Sequence, residues 1–212
     1  LILLAQNLKG YQNLLKLVTL GYMEGFYYKP RIDKELLAEH ADGLIALSSC
    51  GRGEVAHNIN KENVPRATKI ASQYGEIMGG GNFFLELQNH KMEYQEKINK
   101  ELVKLGNKLS LPLVATNNCH YLDREDFHAH EILLCLQTGK TMSDQYRMRY
   151  PSDEYYFKSS EEMIQLFNEV PEAIENTIKI AERCELDLDF NKLNFPDYPI
   201  PENYTLEKYL TD

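Results

Sequence analysis

Three short apolar runs in this 212-residue sequence end on side chains that bind metals, and that recurrence constrains the fold more than any other feature. Leu113-Val-Ala-Thr-Asn-Asn-Cys-His-Tyr121 reads as a buried strand that leaves Pro112 and runs straight into a polar turn holding Asn117, Asn118 and His120. Gly43-Leu-Ile-Ala-Leu-Ser-Ser-Cys50 ends the same way on a thiol, and Asn82-Phe-Phe-Leu-Glu-Leu-Gln-Asn-His90 on an imidazole. Singly, each residue has a plainer role: a cysteine at a strand end serves as a small hydrophobe, and a histidine after a strand as a hydrogen-bonding cap. Jointly they point to one site, because the carboxyl ends of parallel strands in α/β folds share a face, and ligands bind there.

The segments between these runs have helical spacing. Leu14, Leu17, Val18 and Gly21 recur with that period after Gly10, and a short helix spans Asp33 to His40. Pro65 opens a helix with Ala67, Ile70, Ala71, Tyr74, Ile77 and Met78 on one side, and Gly79-Gly-Gly81 stops it. Ile98, Leu102, Leu105 and Leu109 mark another. With Leu1-Ile-Leu-Leu-Ala5 as a first strand, the alternation predicts a parallel sheet with right-handed crossovers. An apolar strand at the very start also carries the expectation that the chain begins inside a domain.

Past His120 the alternation stops. His128 and His130 lie two apart, about 200° around a helix, so they cannot share one metal and are expected at the surface. Gln137-Thr-Gly-Lys-Thr141 resembles the tail of a phosphate loop, but Leu134 stands where that loop needs glycine. Residues 146–156 read as a polar, aromatic loop with short strands. Ser159-x-x-Glu162 is a capping box for a helix through Phe167, and Pro171 opens the last long helix, with Ile174, Ile178 and Ala181 facing inward. From Asp187 the chain is acidic and spaced by Pro196, Pro199 and Pro201, which is linker chemistry, and Leu206 to Leu210 reads as the first turn of a helix.

Composition excludes some functions. Lys and Arg number 23 against 32 Asp and Glu, a formal net charge of −9, which argues against a surface built mainly to grip phosphate backbones. Apolar runs stay far below the roughly 20 residues of a membrane span. Four cysteines without a CxxC pair fit a reducing cytoplasm. Two local features have competing explanations. Gly25-Phe-Tyr-Tyr-Lys-Pro-Arg-Ile-Asp33 interleaves aromatic and basic residues, either to stack on single-stranded nucleic acid or to pin a loop. Gly51-Arg-Gly-Glu54 reads first as a tight turn, and alternatively as a phosphate wrap.

Five stretches in order (24–33, 43–50, 85–90, 114–121 and 134–141) closely resemble the polymerase and histidinol phosphatase (PHP) domain family, in the form found in the alpha subunit of bacterial DNA polymerase III. The resemblance implies an α/β fold, part of a distorted (β/α)7 barrel lacking its first strands. Residues 1–186 would be the C-terminal major part of that domain, and 187–212 a linker toward the polymerase palm. It further implies a metal site at the strand ends for zinc, manganese or iron. Cys50, His90 and His120 match ligand positions, and Asn118 stands where many members have Asp. The family's opening His-x-His and Thr-Asp-His motifs would precede Leu1.

Exchanging Asp for Asn removes a unit charge worth about 4 kcal/mol at 4 Å and an effective dielectric of about 20, so weak metal binding and an inactive isolated domain are expected. The parent would be a magnesium-dependent DNA-directed DNA polymerase acting with DNA and other replicase subunits. No acidic constellation for nucleotidyl transfer occurs in these residues, so the PHP part is expected to be a metal-site or structural module or a degenerate 3′–5′ exonuclease. The alternatives are a free-standing metal-dependent PHP phosphoesterase and a non-catalytic scaffold that docks a proofreading subunit.

Overall fold

A computed structural model describes residues 1–191 and 199–211. The strands are β1 (Ile2–Ala5), β2 (Leu44–Leu47), β3 (Phe83–Leu87) and β4 (Leu113–Ala115), paired in that sequential order in one sheet. The two joints that bear on the site, β2 to β3 and β3 to β4, are parallel as expected. Alternation along each strand splits the core in two. Leu44 and Ala46, Phe83, Leu85 and Leu87, and Leu113 and Ala115 face the larger cluster, while Ile45, Leu47, Phe84 and Val114 face a smaller one on the other side.

The larger face is covered by α3 (Glu54–Asn60), α4 (Val64–Met78) and α5 (Glu93–Leu109), the smaller by the end of α8 (Pro171–Arg183) through Ile180. Local chemistry starts and stops these helices. Asn63 caps α4 by accepting from the Arg66 N–H, Pro65 occupies its first turn, and Gly79 ends it at a φ of 61°. The capping box of Ser159 and Glu162 opens α7 (Ser160–Leu166) as expected. A helix also forms where only a turn was expected: after Gly51-Arg-Gly, α3 buries Val55, Ala56 and Ile59, whose i, i+1, i+4 spacing is a helical stripe too short to stand out in sequence.

Two expectations are corrected. β1 runs antiparallel to β2, with Ile2 opposite Leu47 and Ala5 opposite Leu44. The cause lies in the connection. Helix α1 (Leu8–Met23) leaves the sheet where β1 stops, and the chain returns through α2 (Lys34–Glu39) to the same end. The Gln6 N–H donates to the Gly43 carbonyl, and Asn13 Nδ2 to the Asp42 carbonyl, both at 2.8 Å, which fixes that return point. In α8 the buried side is not Ile178 and Ala181, which are exposed, but Ala173 and Ile180, with Asn176 Nδ2 donating to the Leu113 carbonyl. A polar anchor to β4, invisible to a hydrophobicity pattern, sets the rotation of the helix. Of the linker prolines, Pro196 lies outside the described residues; α9 (Leu206–Thr211) forms as a short exposed helix.

Residues 146–156 contain no strand. A single parallel bridge joins Tyr121 to Tyr156, supported by the His120 N–H to the Tyr155 carbonyl at 2.8 Å and Asn117 Nδ2 to the Tyr156 carbonyl at 2.8 Å. These contacts lay the segment over the ends of β3 and β4.

Candidate functional site

Because β2, β3 and β4 are parallel, the residues that follow them emerge on one rim. Cys50, His90 and Asn118 line a single cavity of about 440 Å³ there. The turns that deliver them bend sharply, for Ser49 just before Cys50 and Lys91 just after His90 both have positive φ, 69° and 57°. Non-glycine residues held in that region are a local strain, which surrounding contacts must over-determine. At the first turn that support comes from Glu86. Its buried carboxylate accepts from the Ser49 N–H at 3.0 Å, from Gln88 Nε2 at 2.9 Å and from the Thr116 hydroxyl.

His90 is the most enclosed of the set, at 1 % exposure, with Tyr155 stacked on its ring at 4.3 Å and 8°. Gln95, in the first turn of α5, holds both ends of it. The His90 backbone N–H donates to Gln95 Oε1 at 2.7 Å, and Gln95 Nε2 lies 2.9 Å from His90 Nδ1. An amide NH2 can only donate, so Nδ1 accepts and the proton of the neutral ring sits on Nε2. That Nε2 has no protein partner. Burial, and then the nearby Lys158 ammonium, hold the His90 pKa down to about 4, so the ring is neutral at pH 7.

His120 is at the same rim but not on the cavity wall. Its ring packs on Tyr150 at 4.4 Å and Tyr155 at 5.8 Å, with the Tyr150 hydroxyl 3.0 Å from Nε2. Burial and the neighbouring His130 keep its pKa below the ordinary value. His130 itself corrects an expectation. Rather than lying at the surface it is half-buried 5.6 Å from His120 and 5.2 Å from Tyr150, and its Nδ1 is buried without a partner. The wide angle between residues two apart on α6 (Phe127–Thr138) explains this: His128 faces solvent, so His130 must face the rim.

Most of the rest of the wall was not singled out by sequence. Arg52 stands in the turn after β2, within the Gly51-Arg-Gly-Glu54 stretch whose alternative reading is a phosphate wrap, and Arg149 and Tyr150 come from the segment read as a loop. Arg149 had no motif around it. An ionic knot fixes that segment. Glu154, 2 % exposed, pairs with Lys91 at 2.6 Å, with Lys158 at 3.4 Å and with Arg124. Since Lys91 follows His90 and Glu154 precedes Tyr155, the knot ties the loop to the end of β3.

The cavity wall contains two guanidinium groups and no carboxylate. Among the described residues no three His, Cys, Asp or Glu side chains stand close enough to hold a metal ion. A divalent cation would meet a thiol, a carboxamide, two positive charges and a ring nitrogen already carrying hydrogen. The residues present do not fit zinc, manganese or iron. Among the described residues no helix is long and apolar enough to cross a membrane.

Comparison with known proteins agrees with the motif resemblance. Residues 1–90 match the family model of the PHP domain. Over 212 residues the chain is 44% identical to the DNA polymerase III subunit alpha of Borreliella burgdorferi, covering 99% of this chain and 18% of that protein. It is 42% identical to that of Thermus aquaticus over 218 residues, covering 100% of this chain and 18% of the relative. The subunit of Mycobacterium leprae is 39% identical over 214 residues, covering 99% and 18%. The chain thus spans about 18% of the length of the curated relatives it matches.

Proposed function

Taking similarity to the PHP region of DNA polymerase III alpha subunits as the premise, we propose that this chain is the PHP portion of such a subunit. The parent would be a magnesium-dependent DNA-directed DNA polymerase that works in the cytoplasm with DNA and other replicase subunits. In this reading residues 1–186 form most of a distorted (β/α)7 barrel, and 187–212 lead toward the palm. The observation that carries it is the 44% identity over essentially the whole chain to a protein of that name.

Within the parent, Cys50, His90, Asn118 and His120 occupy the ligand positions of a PHP metal site that has lost its capacity for hydrolysis. Asn118, standing where many members have Asp, supports this, because a carboxamide brings no charge to offset the desolvation of a dication. The same feature favours a scaffolding role, including docking of a proofreading subunit, over a 3′–5′ exonuclease or a free-standing phosphoesterase.

The test is to purify the natural full-length protein. It should extend a primed template with magnesium, retain well under one zinc, manganese or iron per chain after gel filtration, and gain metal on Asn118→Asp. A full-length protein of only about this size, or one unable to extend a primer, removes the polymerase assignment. Stoichiometric metal lost with His90→Ala removes the degenerate-site assignment.

A further inference from the structure

We propose that the loop between α1 and α2, residues 25–33, is a stacking platform for single-stranded DNA, with Phe26, Tyr27 and Tyr28 receiving bases and Lys29 and Arg31 the phosphates. None of these five residues lines the cavity at the strand ends. The proposal deepens the polymerase reading, on which it rests, by naming a second contact for an unpaired strand.

Two explanations stand for this aromatic and basic stretch, stacking on nucleic acid or pinning the loop, and burial separates them. A ring that pins a loop is buried, whereas Phe26, Tyr27 and Tyr28 are 55%, 62% and 83% exposed. The backbone holds the loop instead. Its base is closed where Gly25 meets Arg31, since a Cβ on Gly25 would lie 1.9 Å from the Arg31 carbonyl oxygen. At its tip the Tyr27 N–H donates to the Lys29 carbonyl at 3.1 Å, and Tyr28 between them sits at a φ of 60°. A non-glycine residue held there is strained, and here the strain turns the Tyr28 ring outward. The rings also brace one another: Phe26 stacks on Tyr22 at 6.1 Å, and Tyr27 meets Tyr28 edge-on at 4.6 Å. They therefore stand ready to stack without a further ordering cost.

Charge selects the partner. Among the described residues Lys29 has no ion pair or side-chain hydrogen bond, and the Arg31 guanidinium lies over the Tyr27 ring at 4.9 Å with no carboxylate acceptor. Of the nearby acids, Asp33 is occupied in capping α2, where it accepts from the Leu36 N–H at 2.8 Å. Glu24, Glu35 and Glu39 line another cavity, and none of the three rings is on its wall. Exposed rings with free cations between them suit nucleic acid, where every base offers a face and every linkage a charge. A duplex hides those faces, so the strand must be unpaired. Binding that depends on stacking more than on charge also suits a chain with a formal net charge of −9.

The full-length protein in EDTA is titrated with fluorescein-labelled oligothymidylate of ~20 nucleotides, read by anisotropy. It should bind. Tyr27→Ala combined with Tyr28→Ala should weaken binding by roughly tenfold or more, while Tyr27→Phe combined with Tyr28→Phe should restore it, because stacking needs the ring and not the hydroxyl. Lys29→Ala should lower the slope of log affinity against log salt by about 0.7. Thermal unfolding should not move, since these side chains are exposed. No binding of oligothymidylate overturns the proposal, as does undiminished binding by the folded alanine pair. An equal loss of affinity for a blunt duplex of the same length overturns it too, by assigning the loop to the backbone alone. Undiminished oligothymidylate binding with loss of a replicase subunit from the alanine pair assigns the loop to a protein contact instead. Primer extension by the unaltered protein reads the polymerase assignment separately.

Discussion

The proton on His90 is placed by Gln95, and burial makes the residue sensitive to acid. Its pKa falls from an ordinary 6.5 to about 4 in the folded chain, chiefly by burial. Above pH 6.5 the ring is neutral in both folded and unfolded states, so the full stability is present. As pH drops from 6.5 to about 4, the unfolded chain takes up a proton that the folded chain refuses, and stability declines; below that range this contribution levels off. Urea midpoints measured across the window should show this slope, and His90→Asn should flatten it. A slope unchanged by the substitution would mean the ring is not held neutral. His90 as a site residue was legible from the sequence, because it closes a strand motif. Its tautomer was not, since Gln95 looks like any polar residue at the start of a helix until the chain is folded over it.

Among the elements, α1 packs closely on the loop before β2. A Cβ added to Gly10 would lie 1.8 Å from the Gly43 carbonyl oxygen, which is backbone and cannot swing away. Helix propensity favours alanine over glycine by about 1 kcal/mol, whereas forcing atoms into a packed interface costs roughly 3 kcal/mol. Gly10→Ala should therefore destabilise by roughly 2 kcal/mol in equilibrium denaturation, and a stabilised variant would show that the helix stands off the loop. Gly10 lets α1 lie directly on Gly43, the residue that leads into β2. No residue of β1 encodes its antiparallel direction; strand pattern reports which side chains are buried, and the return path of α1 and α2 decides the sense. Likewise the rotation of α8 follows Asn176 holding the Leu113 carbonyl, against the apolar positions Ile178 and Ala181.

At the scale of the whole molecule, the rim depends on the Glu154 knot, which joins a loop without regular structure to the ends of β3 and β4. Glu154 and Lys158 are both nearly inaccessible, and burial lowers the Lys158 pKa against the pull of the carboxylate. Glu154→Gln leaves that ammonium buried without its counter-ion and should cost on the order of 3 kcal/mol, measured by urea unfolding. Adding Lys158→Met should recover a good part of the loss, because removing both charges is far cheaper than stranding one. Equal losses in the single and double variants would show that the pair is not coupled.

The sequence by itself determined the strands, most of the helices and their caps, and the thiol, imidazole and carboxamide that end three parallel strands. Those features depend on spacings of two to four residues, which a linear pattern records. The tertiary structure alone decided that Arg52 and Arg149 share a wall with His90, that His130 turns toward His120, and that no carboxylate enters the cavity. Those outcomes depend on contacts between segments far apart in the chain, and a long-range contact leaves no period to read.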